Sequence, residues 1–323
     1  MSPADSASAL PASDDQPAPR PLGPDSQTWA DFGSLMLHLM LPQAFVLQVA
    51  HPTIDAGVGQ HSVYKTDPWG RIQRSHQMLW PVVYARPETA IRKGVALRAY
   101  HRAIKGVDRH GRPYHALEPE AYGWVHMTGF DATVRMHALF GTALSDDARR
   151  EAFQEWRRMG LILGLREQDL PATEADYWSH LHRMIDERLT MGDVACDLLD
   201  VRAFSHYPRP PGSRIPKPLW RLLLKAVAPA VRRMVVGTAH PRFRSRFQLR
   251  WTRWDATWFA VYLRALRLIL RLLPERWRYI PQARAAMLDA RQNPEAYLWE
   301  RDVVKRQGGA VPRVLPSSPK GHC

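Results

Sequence analysis

Apolar residues recur every three to four positions along most of this chain, and strict alternation of apolar and polar residues is almost missing. The first pattern is typical of helices with one buried face, whereas the second is typical of half-buried strands. The sequence therefore predicts an all-α fold, a single large helical bundle. Its 323 residues, of which 45% are hydrophobic, are enough to build the core that such a bundle needs.

Prolines and capping residues mark the expected ends of these helices. Pro52 and Pro274 each follow a long apolar stretch, Ser145 precedes two acids, and Pro81 lies where a helix is expected to break or bend. The predicted helical segments are 28–51 (one or two helices), 67–85, 87–105, 118–140, 145–164, 173–189 and 257–273.

The two ends of the chain lack this pattern. Residues 1–27 contain six prolines among Ser, Asp and Ala, which predicts a disordered N-terminal tail, and residues 313–323 are predicted to be a flexible C-terminal tail. The connections between the predicted helices are too short for a second core. We therefore expect one helical domain over residues 28–312.

The chain shows no sign of export or of crossing a membrane. Apolar runs are interrupted before they reach the roughly 18–20 residues of a membrane span. The N-terminus lacks the basic and apolar regions of a secretory signal, and two cysteines cannot form a disulfide framework. A cytoplasmic protein is the expectation from these features.

Positive charge is concentrated in residues 202–286, which contain 19 Lys/Arg and only two acids, within a chain of net charge +14. Such a region is expected to meet anions: membrane headgroups, nucleic acid or acidic partners. No helix-turn-helix or aromatic single-strand platform is present, so nucleic acid is disfavoured. Arg264, Arg267 and Arg271 share one helix face, opposite an apolar one. This pattern predicts peripheral contact with an anionic membrane, or simply an outer helix with solvated arginines.

His101 interrupts the apolar face of the predicted helix 87–105. Because each helical residue advances by about 100°, His101 points in the same direction as Ala90 and Gly94. The imidazole is therefore predicted to face the interior, above two residues with almost no side chain that would leave room for a flat group.

Two interpretations of His101 remain open on the pattern alone. A single inward histidine is most often a core residue with a satisfied hydrogen bond, and otherwise a metal or haem ligand. The chain has no HExxH, no CxxC and no Cys/His pairs at zinc spacing. His180 and His182 are two positions apart, so that a helix would direct them to different faces.

An ordered set of segments carries a resemblance to a known family. QVAHPTIDAGVGQHSVYKTDPWGRIQRS is followed by LRAYHRAIKG, then by YHALEPEAYGWVHMT and LPATEADYWSHL. Over residues 35–290 the chain resembles the MpaB/rubber-oxygenase family, formerly the DUF2236 domain. Its members include rubber oxygenases and fungal enzymes that oxidatively cleave a terpenoid side chain.

The resemblance implies an all-α, globin-like fold that binds haem b. The axial histidine of the rubber oxygenases lies in a helix with the pattern R-x-x-H-x-x-x-[RK], which Arg98, His101 and Lys105 approximate here. By resemblance, His101 is therefore the ligand of the iron, with Arg98 beside it.

The distal segment of those enzymes, Arg-x-x-Lys-Thr, is matched here by Arg71, Arg74 and Ser75. The resemblance implies catalytic roles for all three, although a solvated helix face is the alternative. Arg74 departs from the lysine, and because a guanidinium stays charged it cannot bind iron.

The distal glutamate of those enzymes has no clear counterpart here. Asp55 and Asp67 are the nearest acids before Arg71, and either could instead be a turn residue. His51 and His126 also recur in the family pattern, and each is expected either beside the cofactor or in the core.

The expected function is a haem b-dependent oxygenase that uses dioxygen on a hydrophobic, isoprenoid-like substrate, by C=C cleavage or oxygenation. In such an enzyme the cofactor carries the oxygen chemistry and the protein supplies orientation and a dry pocket. The alternatives are a haem sensor or carrier without turnover, a basic helical protein that binds membrane or nucleic acid, and a purely structural helical domain.

Overall fold

The computed structural model describes residues 19–204 and 206–299, and within these ranges the protein is predominantly helical. This confirms the predicted all-α fold. A single two-stranded sheet accompanies fourteen α-helices in this part of the chain. The elements are α1 (Gln27–Phe32), α2 (Leu35–Val49), α3 (Pro52–His61), α4 (Pro68–Tyr84), α5 (Pro87–Arg102), β1 (Lys105–Val107), β2 (Pro113–His115), α6 (Pro119–Phe140), α7 (Asp146–Ile162), α8 (Glu174–Arg183), α9 (Asp193–Leu199), α10 (Val201–Phe204), α11 (Lys217–Thr238), α12 (Pro241–Arg246), α13 (Arg253–Leu272) and α14 (Pro281–Gln292).

Hydroxyl caps start several of these helices where the sequence places them. The Ser34 side chain accepts a hydrogen bond from the backbone of Leu37 at the start of α2, and Ser145 accepts one at the start of α7. At the start of α8, Thr173 and Asp176 form a reciprocal capping box. These bonds satisfy backbone N–H groups that have no partner within the helix.

The region after His101 differs from the prediction. Helix α5 ends at Arg102 rather than at residue 105, and β1 pairs with β2 as an antiparallel hairpin. The Asp108 carboxylate accepts hydrogen bonds from two backbone N–H groups of the turn, and Gly111 adopts φ +78°, a conformation that favours glycine. These features form the turn that joins β1 to β2.

Prolines do not always break the helices. A break or a bend was expected at Pro81, and the break does not occur, because α4 continues through Pro81 to Tyr84. At the N-terminal end, Leu22 is buried in the core and α1 begins at Gln27, so that ordered structure starts before residue 28. Residues 1–18 and 300–323, which include the predicted C-terminal tail, lie outside the described residues.

The core forms where α2 and α6 pack along each other, with α7 against α1 and α5. Its largest fully buried side chains include Trp124, Phe130 and Phe153. The buried Glu155 on α7 accepts hydrogen bonds from the backbone N–H groups of Gln27 and Thr28, at 3.1 and 2.6 Å. A carboxylate in this position offsets the positive N-terminal end of α1.

Two small residues of α5 serve helix packing. A β-carbon on Gly94 would lie 2.4 Å from the carbonyl oxygen of Ile162, the last residue of α7. Ala90, one turn earlier, is fully buried. The space above Gly94 is therefore filled by α7, and Ala90 is enclosed, which corrects the expectation that the two leave room for a flat group.

Candidate functional site

His101 lies in the last turn of α5 and is partly buried. Its Nδ1 is 2.9 Å from the carbonyl oxygen of Leu97, one turn earlier in the same helix. Because a carbonyl can only accept, Nδ1 carries the proton and donates it. Nε2 then bears the lone pair, and it has no hydrogen-bond partner among the described residues. An imidazole held in this tautomer is prepared to bind a metal through Nε2.

The surroundings of His101 keep its ring neutral. Burial lowers the pKa of His101, and the bond to Leu97 opposes this effect only in part. The ring meets Tyr100 and Tyr122 edge to face, each at 5.6 Å between ring centroids. Tyr122 is itself fixed, because its hydroxyl donates to the carbonyl of Leu163. A neutral and oriented imidazole is the form that binds iron.

Arg71, in the first turn of α4, is the cation placed near this end of α5. Its guanidinium lies 4.2 Å from the centroid of the Phe45 ring, and Nε donates to the hydroxyl of Ser62 at 2.9 Å. Burial lowers the pKa of Arg71, while the nearby Tyr207 and Tyr100 hydroxyls raise it. The guanidinium stays charged and is directed by these contacts.

Packing of α4 against α5 brings the two candidate residues to one end of the helix pair. Only Ala85 and Arg86 separate the helices in the chain, so they run in opposite directions. The start of α4 therefore lies beside the end of α5. The electrostatic effect of Tyr100, the neighbour of His101, on Arg71 reflects this proximity.

A small apolar cluster beside the main core reaches Arg71 through Phe45. Val49, Tyr64, Val194 and Ala195 are its buried members, and Phe45 packs against them. Four further partly buried side chains complete it: Ile54, Val58, Met191 and Leu198. The guanidinium of Arg71 thus lies against Phe45 of α2, which in turn packs on apolar side chains of α3 and α9.

The other two residues of the distal segment point outward. Arg74 is exposed and pairs with Asp67 at 3.1 Å, and Ser75 is exposed as well. Asp67 caps α4 by accepting from the backbone N–H of Gly70 at 2.9 Å, and this bond, followed by that to Arg74, lowers the pKa of Asp67. The structure therefore brings Arg71, but not Arg74 or Ser75, into the partly buried region.

Asp55 is the second acid that the sequence offers before Arg71. Its carboxylate accepts a hydrogen bond from the backbone N–H of Val194 at 2.9 Å, at the start of α9. Burial raises the pKa of Asp55, the opposite of the direction found for Asp67. Asp55 is thus the more readily protonated of the two, although it also caps a helix.

Arg98 contacts backbone beside the candidate ligand. Its Nη1 donates to the carbonyl oxygen of Gly164 at 2.6 Å, just beyond the end of α7. The guanidinium also lies 5.9 Å from the ring centroid of Tyr122. Arg98 thus links α5 and the Tyr122 ring to the end of α7.

His126 lies between α6 and α7. It is buried, and its Nε2 donates to the carbonyl oxygen of Trp156 at 2.6 Å. Burial lowers the pKa of His126 to about 4, against the smaller effect of this bond. A β-carbon on Gly160 would come within 2.9 Å of the same ring nitrogen. These contacts identify His126 as a residue of the α6–α7 interface.

His51, the residue before α3, is buried and joins a polar network. Its Nε2 is 3.2 Å from a carboxylate oxygen of Glu120, which also accepts from Arg188. Burial lowers the pKa of His51, opposed by Glu120. Nδ1 of His51 is buried without a hydrogen-bond partner in the described part of the chain. The network links α3, α6 and the segment after α8.

The donor chemistry of His101 suits a group held by one imidazole, although the space over Gly94 is filled by α7. Among residues 19–204 and 206–299, no three His, Cys, Asp or Glu side chains gather as they would around a bare metal ion. Haem needs only one or two protein ligands because its porphyrin supplies the others. His101, with Nδ1 protonated and Nε2 available, has the chemistry of such a ligand.

Several residues around this region were not predicted. Tyr122 contacts His101 from α6, Phe45 contacts Arg71 from α2, and Tyr207 affects Arg71 from beyond α10. Tyr122 lies within a segment that carried the resemblance and Phe45 just before another, but neither is part of the distal or axial motif. Only their aromatic character in otherwise ordinary stretches could have drawn attention to them.

Comparisons with known proteins cover this whole region. The family profile described as the catalytic domain of the ER-bound oxygenases mpaB and mpaB′ and of rubber oxygenase matches residues 26–268. Two uncharacterised proteins, from Mycobacterium bovis and Mycobacterium tuberculosis, are each 25% identical over 282 residues, spanning 84% of this chain and the full length of the relative. No solved structure matches the chain significantly.

Proposed function

Because this chain belongs to the MpaB/rubber-oxygenase catalytic-domain family, we propose that it is a haem b-dependent oxygenase in which His101 would hold the iron. Membership of an oxygenase family supports the reaction class. The haem and its ligand are our inference, and one observation carries them: the bond from Nδ1 of His101 to the carbonyl of Leu97. This bond leaves a neutral Nε2 as the available donor.

The bound cofactor would supply the activation of dioxygen, and the protein would supply position and charge. Arg71 would donate hydrogen bonds toward the reacting oxygen, because its guanidinium is half-buried, charged and directed by Ser62 and Phe45. A fixed cation stabilises developing negative charge more strongly in a partly dry site than in water.

The substrate would be hydrophobic. The apolar cluster that reaches Arg71 through Phe45 offers Phe45, Ile54 and Val58 as partly buried side chains rather than fully buried ones. Such a surface holds a hydrocarbon chain and excludes water, whereas a charged substrate would lose its hydration there. An isoprenoid chain is the class that this surface and the family together favour.

The distal segment would act mainly through Arg71. Arg74 and Ser75 are exposed, and Arg74 pairs with Asp67. Since a guanidinium cannot lose its proton in a protein, Arg74 could not close the iron site as a deprotonated lysine would. We therefore propose a site without a second side-chain ligand from this segment.

An optical spectrum tests the cofactor proposal. Wild-type protein expressed with haem supply should show a Soret band that shifts on reduction by dithionite. His101→Ala should lose this band and regain it with added imidazole, because the small ligand replaces the missing ring. The matched control is His110→Ala, an exposed histidine on the β1–β2 turn, which should keep the wild-type spectrum.

Two results would contradict the proposal. Folded wild-type protein that takes up no pigment would rule out the haem, and an unchanged Soret band in His101→Ala would rule out this ligand. Oxygen consumption with a polyisoprenoid, measured on the pigmented protein, tests the oxygenase itself. A pigmented protein that consumes no oxygen with such substrates would instead be a haem carrier or sensor.

A further inference from the structure

Helix α13 presents a long apolar stripe to the outside of the molecule. Although it has 20 residues, none of them is buried within the described structure. Its exposed large side chains reach 64% exposure at Trp254 and 73% at Leu272. At about 100° per residue they share one face of the helix. The members of this outward stripe are Trp254, Trp258, Val261, Tyr262, Leu268, Ile269 and Leu272.

The opposite side of α13 fastens it to the bundle. Leu263, Leu266 and Leu270 pack against the main core. Arg267 donates to the backbone carbonyls of Leu139 and Ala138, at 2.7 and 3.2 Å, at the end of α6. These contacts fix the rotation of the helix about its own axis, so the outward direction of the stripe is built into the fold.

A cationic edge runs beside the outward stripe. Arg264 and Arg271 are exposed and lie on the helix side between the stripe and the core-facing leucines. The only acid of α13, Asp255, pairs with Arg233 at 2.8 Å and caps the helix with Thr252. The helix therefore has an apolar outward face, a cationic edge and a core-facing side. The sequence had predicted only two faces, one with arginines and one apolar.

The neighbouring elements repeat this composition. Leu219, Leu222 and Leu223 of α11 are 54%, 64% and 43% exposed, and Lys225 on the same helix is exposed. Trp277, just after α13, is 60% exposed. All of them lie in the segment 202–286, where 19 Lys/Arg meet only two acids. Large exposed apolar patches on soluble domains mark interaction sites.

We propose that the outward stripe of α13 docks on an anionic lipid bilayer, with the helix lying parallel to the membrane plane. Its indole and phenol rings are the side chains that favour the headgroup level. Arg264 and Arg271 would meet lipid phosphates and carboxylates at the rim of the stripe. No helix in the described ranges is long and apolar enough to cross a membrane, and a parallel helix does not need to be.

The positive charge beside the outward stripe favours an anionic bilayer, rather than a second copy of this chain, as its partner. A two-fold symmetric contact through α13 would bring the same cationic edge of both copies together, without acids to compensate. An anionic bilayer offers the opposite arrangement, because negative headgroups cover an apolar interior. This docking surface lies apart from His101, so the inference does not rest on the haem proposal. It adds a means for the protein to meet a substrate dissolved in lipid.

Flotation of the full chain with vesicles tests the proposal. Wild-type protein should float with vesicles of phosphatidylcholine and phosphatidylserine, far less with phosphatidylcholine alone, and less as salt is raised. The fluorescence of the exposed tryptophans should shift to shorter wavelength on binding. The combined variant Trp254→Ser, Trp258→Ser, Leu272→Ser, called the stripe variant, should lose binding. Loss of two arginines, at about fivefold each, would weaken binding roughly 25-fold. The charge reversal Arg264→Glu with Arg271→Glu should weaken binding by more than this.

Matched controls separate this surface from charge and apolarity in general. Arg92→Glu with Lys93→Glu changes two exposed cations of α5, and Val107→Ser changes an exposed apolar side chain of β1; both should bind as wild type does. Wild-type protein that fails to float with anionic vesicles would overturn the proposal, as would full binding by the stripe variant. A wild-type dimer in solution that the stripe variant dissociates would show a protein interface instead.

Discussion

Gly94 of α5 faces the carbonyl oxygen of Ile162 so closely that a β-carbon on Gly94 would lie 2.4 Å from that oxygen. This contact sets how closely α5, the helix that carries His101, can approach α7. The candidate ligand thus takes its position from a packing contact two turns earlier in its own helix. Several expected outcomes follow from such contacts.

The substitution Gly94→Ala should destabilise the protein, by about 1–3 kcal/mol in the free energy of unfolding, because α5 and α7 must move apart. Urea denaturation measures this change. Gly59→Ala is the matched control: it lies in helix α3, its β-carbon would meet Val194 at an ordinary 3.7 Å, and alanine favours the helix. Equal stability of the two variants would contradict the role assigned to Gly94.

His126 is predicted to be a structural residue. Replacement by Ala should lower the free energy of unfolding by about 2–4 kcal/mol, since it removes buried volume and the side-chain hydrogen bond to the Trp156 carbonyl. If haem binds as proposed, the Soret band of folded His126→Ala should stay at the wild-type wavelength. A spectrum altered as in His101→Ala would instead place His126 at the cofactor.

The lowered pKa of His126 should make the free energy of unfolding depend on pH. The pKa of His126 is about 4 in the folded protein, below the ordinary value of about 6.5 in an unfolded chain. Between these values the unfolded chain binds a proton that the folded protein does not. Stability from this residue is therefore present above about pH 6.5 and is lost as pH falls toward 4, by about 3 kcal/mol in all.

Chemical denaturation across this pH range, compared between wild type and His126→Gln, isolates the effect. Glutamine can donate to the Trp156 carbonyl but does not titrate. The stability difference between the two proteins should shrink or reverse as pH falls from 6.5 to 4. A constant difference would show that the ring is not shielded as described.

Arg71 and Arg74 should differ sharply although they are one turn apart. Arg71→Ala should keep the pigment of the haem-loaded protein but lower oxygen consumption on the order of a hundredfold, because a positioned donor is lost. Arg74→Ala should change both very little, since its exposed pair with Asp67 is solvated. Steady-state oxygen uptake measures both variants. Equal losses would assign the two arginines to a common electrostatic role.

Arg98 should matter for stability rather than for the spectrum. Its bond to the carbonyl of Gly164 is charge-assisted and partly buried, so Arg98→Ala should cost about 1.5–3 kcal/mol. The exposed Arg102 one turn later is the control and should be nearly neutral. Thermal or urea unfolding separates them. Loss of pigment in a folded Arg98→Ala would instead argue for direct contact with the cofactor.

The sequence alone predicts where a helix starts when a capping residue marks that position. Ser145 and Thr173 each start a helix as predicted, because the information lies within three residues of the cap. The β1–β2 hairpin was missed, although the Asp and Gly of its turn were visible, because the helical pattern before it extended over the first strand. The apolar spacing favoured a helix up to residue 105, whereas the Asp and Gly that follow favour a turn between two strands.

The site is less accessible to sequence reasoning because its contacts are distant in the chain. His51 contacts the Glu120 carboxylate and His126 donates a hydrogen bond to the Trp156 carbonyl. The carbonyl of Ile162 fills the space over Gly94. No periodicity within one helix reports what a second helix places against it. The inward direction of His101 could be predicted, whereas the bond that orients its ring required the structure.

The hairpin after α5 ties the end of that helix to α3. Gln60 of α3 donates to the Val107 carbonyl and accepts from the hydroxyl of Tyr114, at 2.8 and 2.7 Å. The last helical turn, with His101, is therefore followed directly by a hairpin that is anchored to α3. In a haem-loaded protein, release of pigment on mild warming would then report local opening of this corner at temperatures where the remaining helices are still folded.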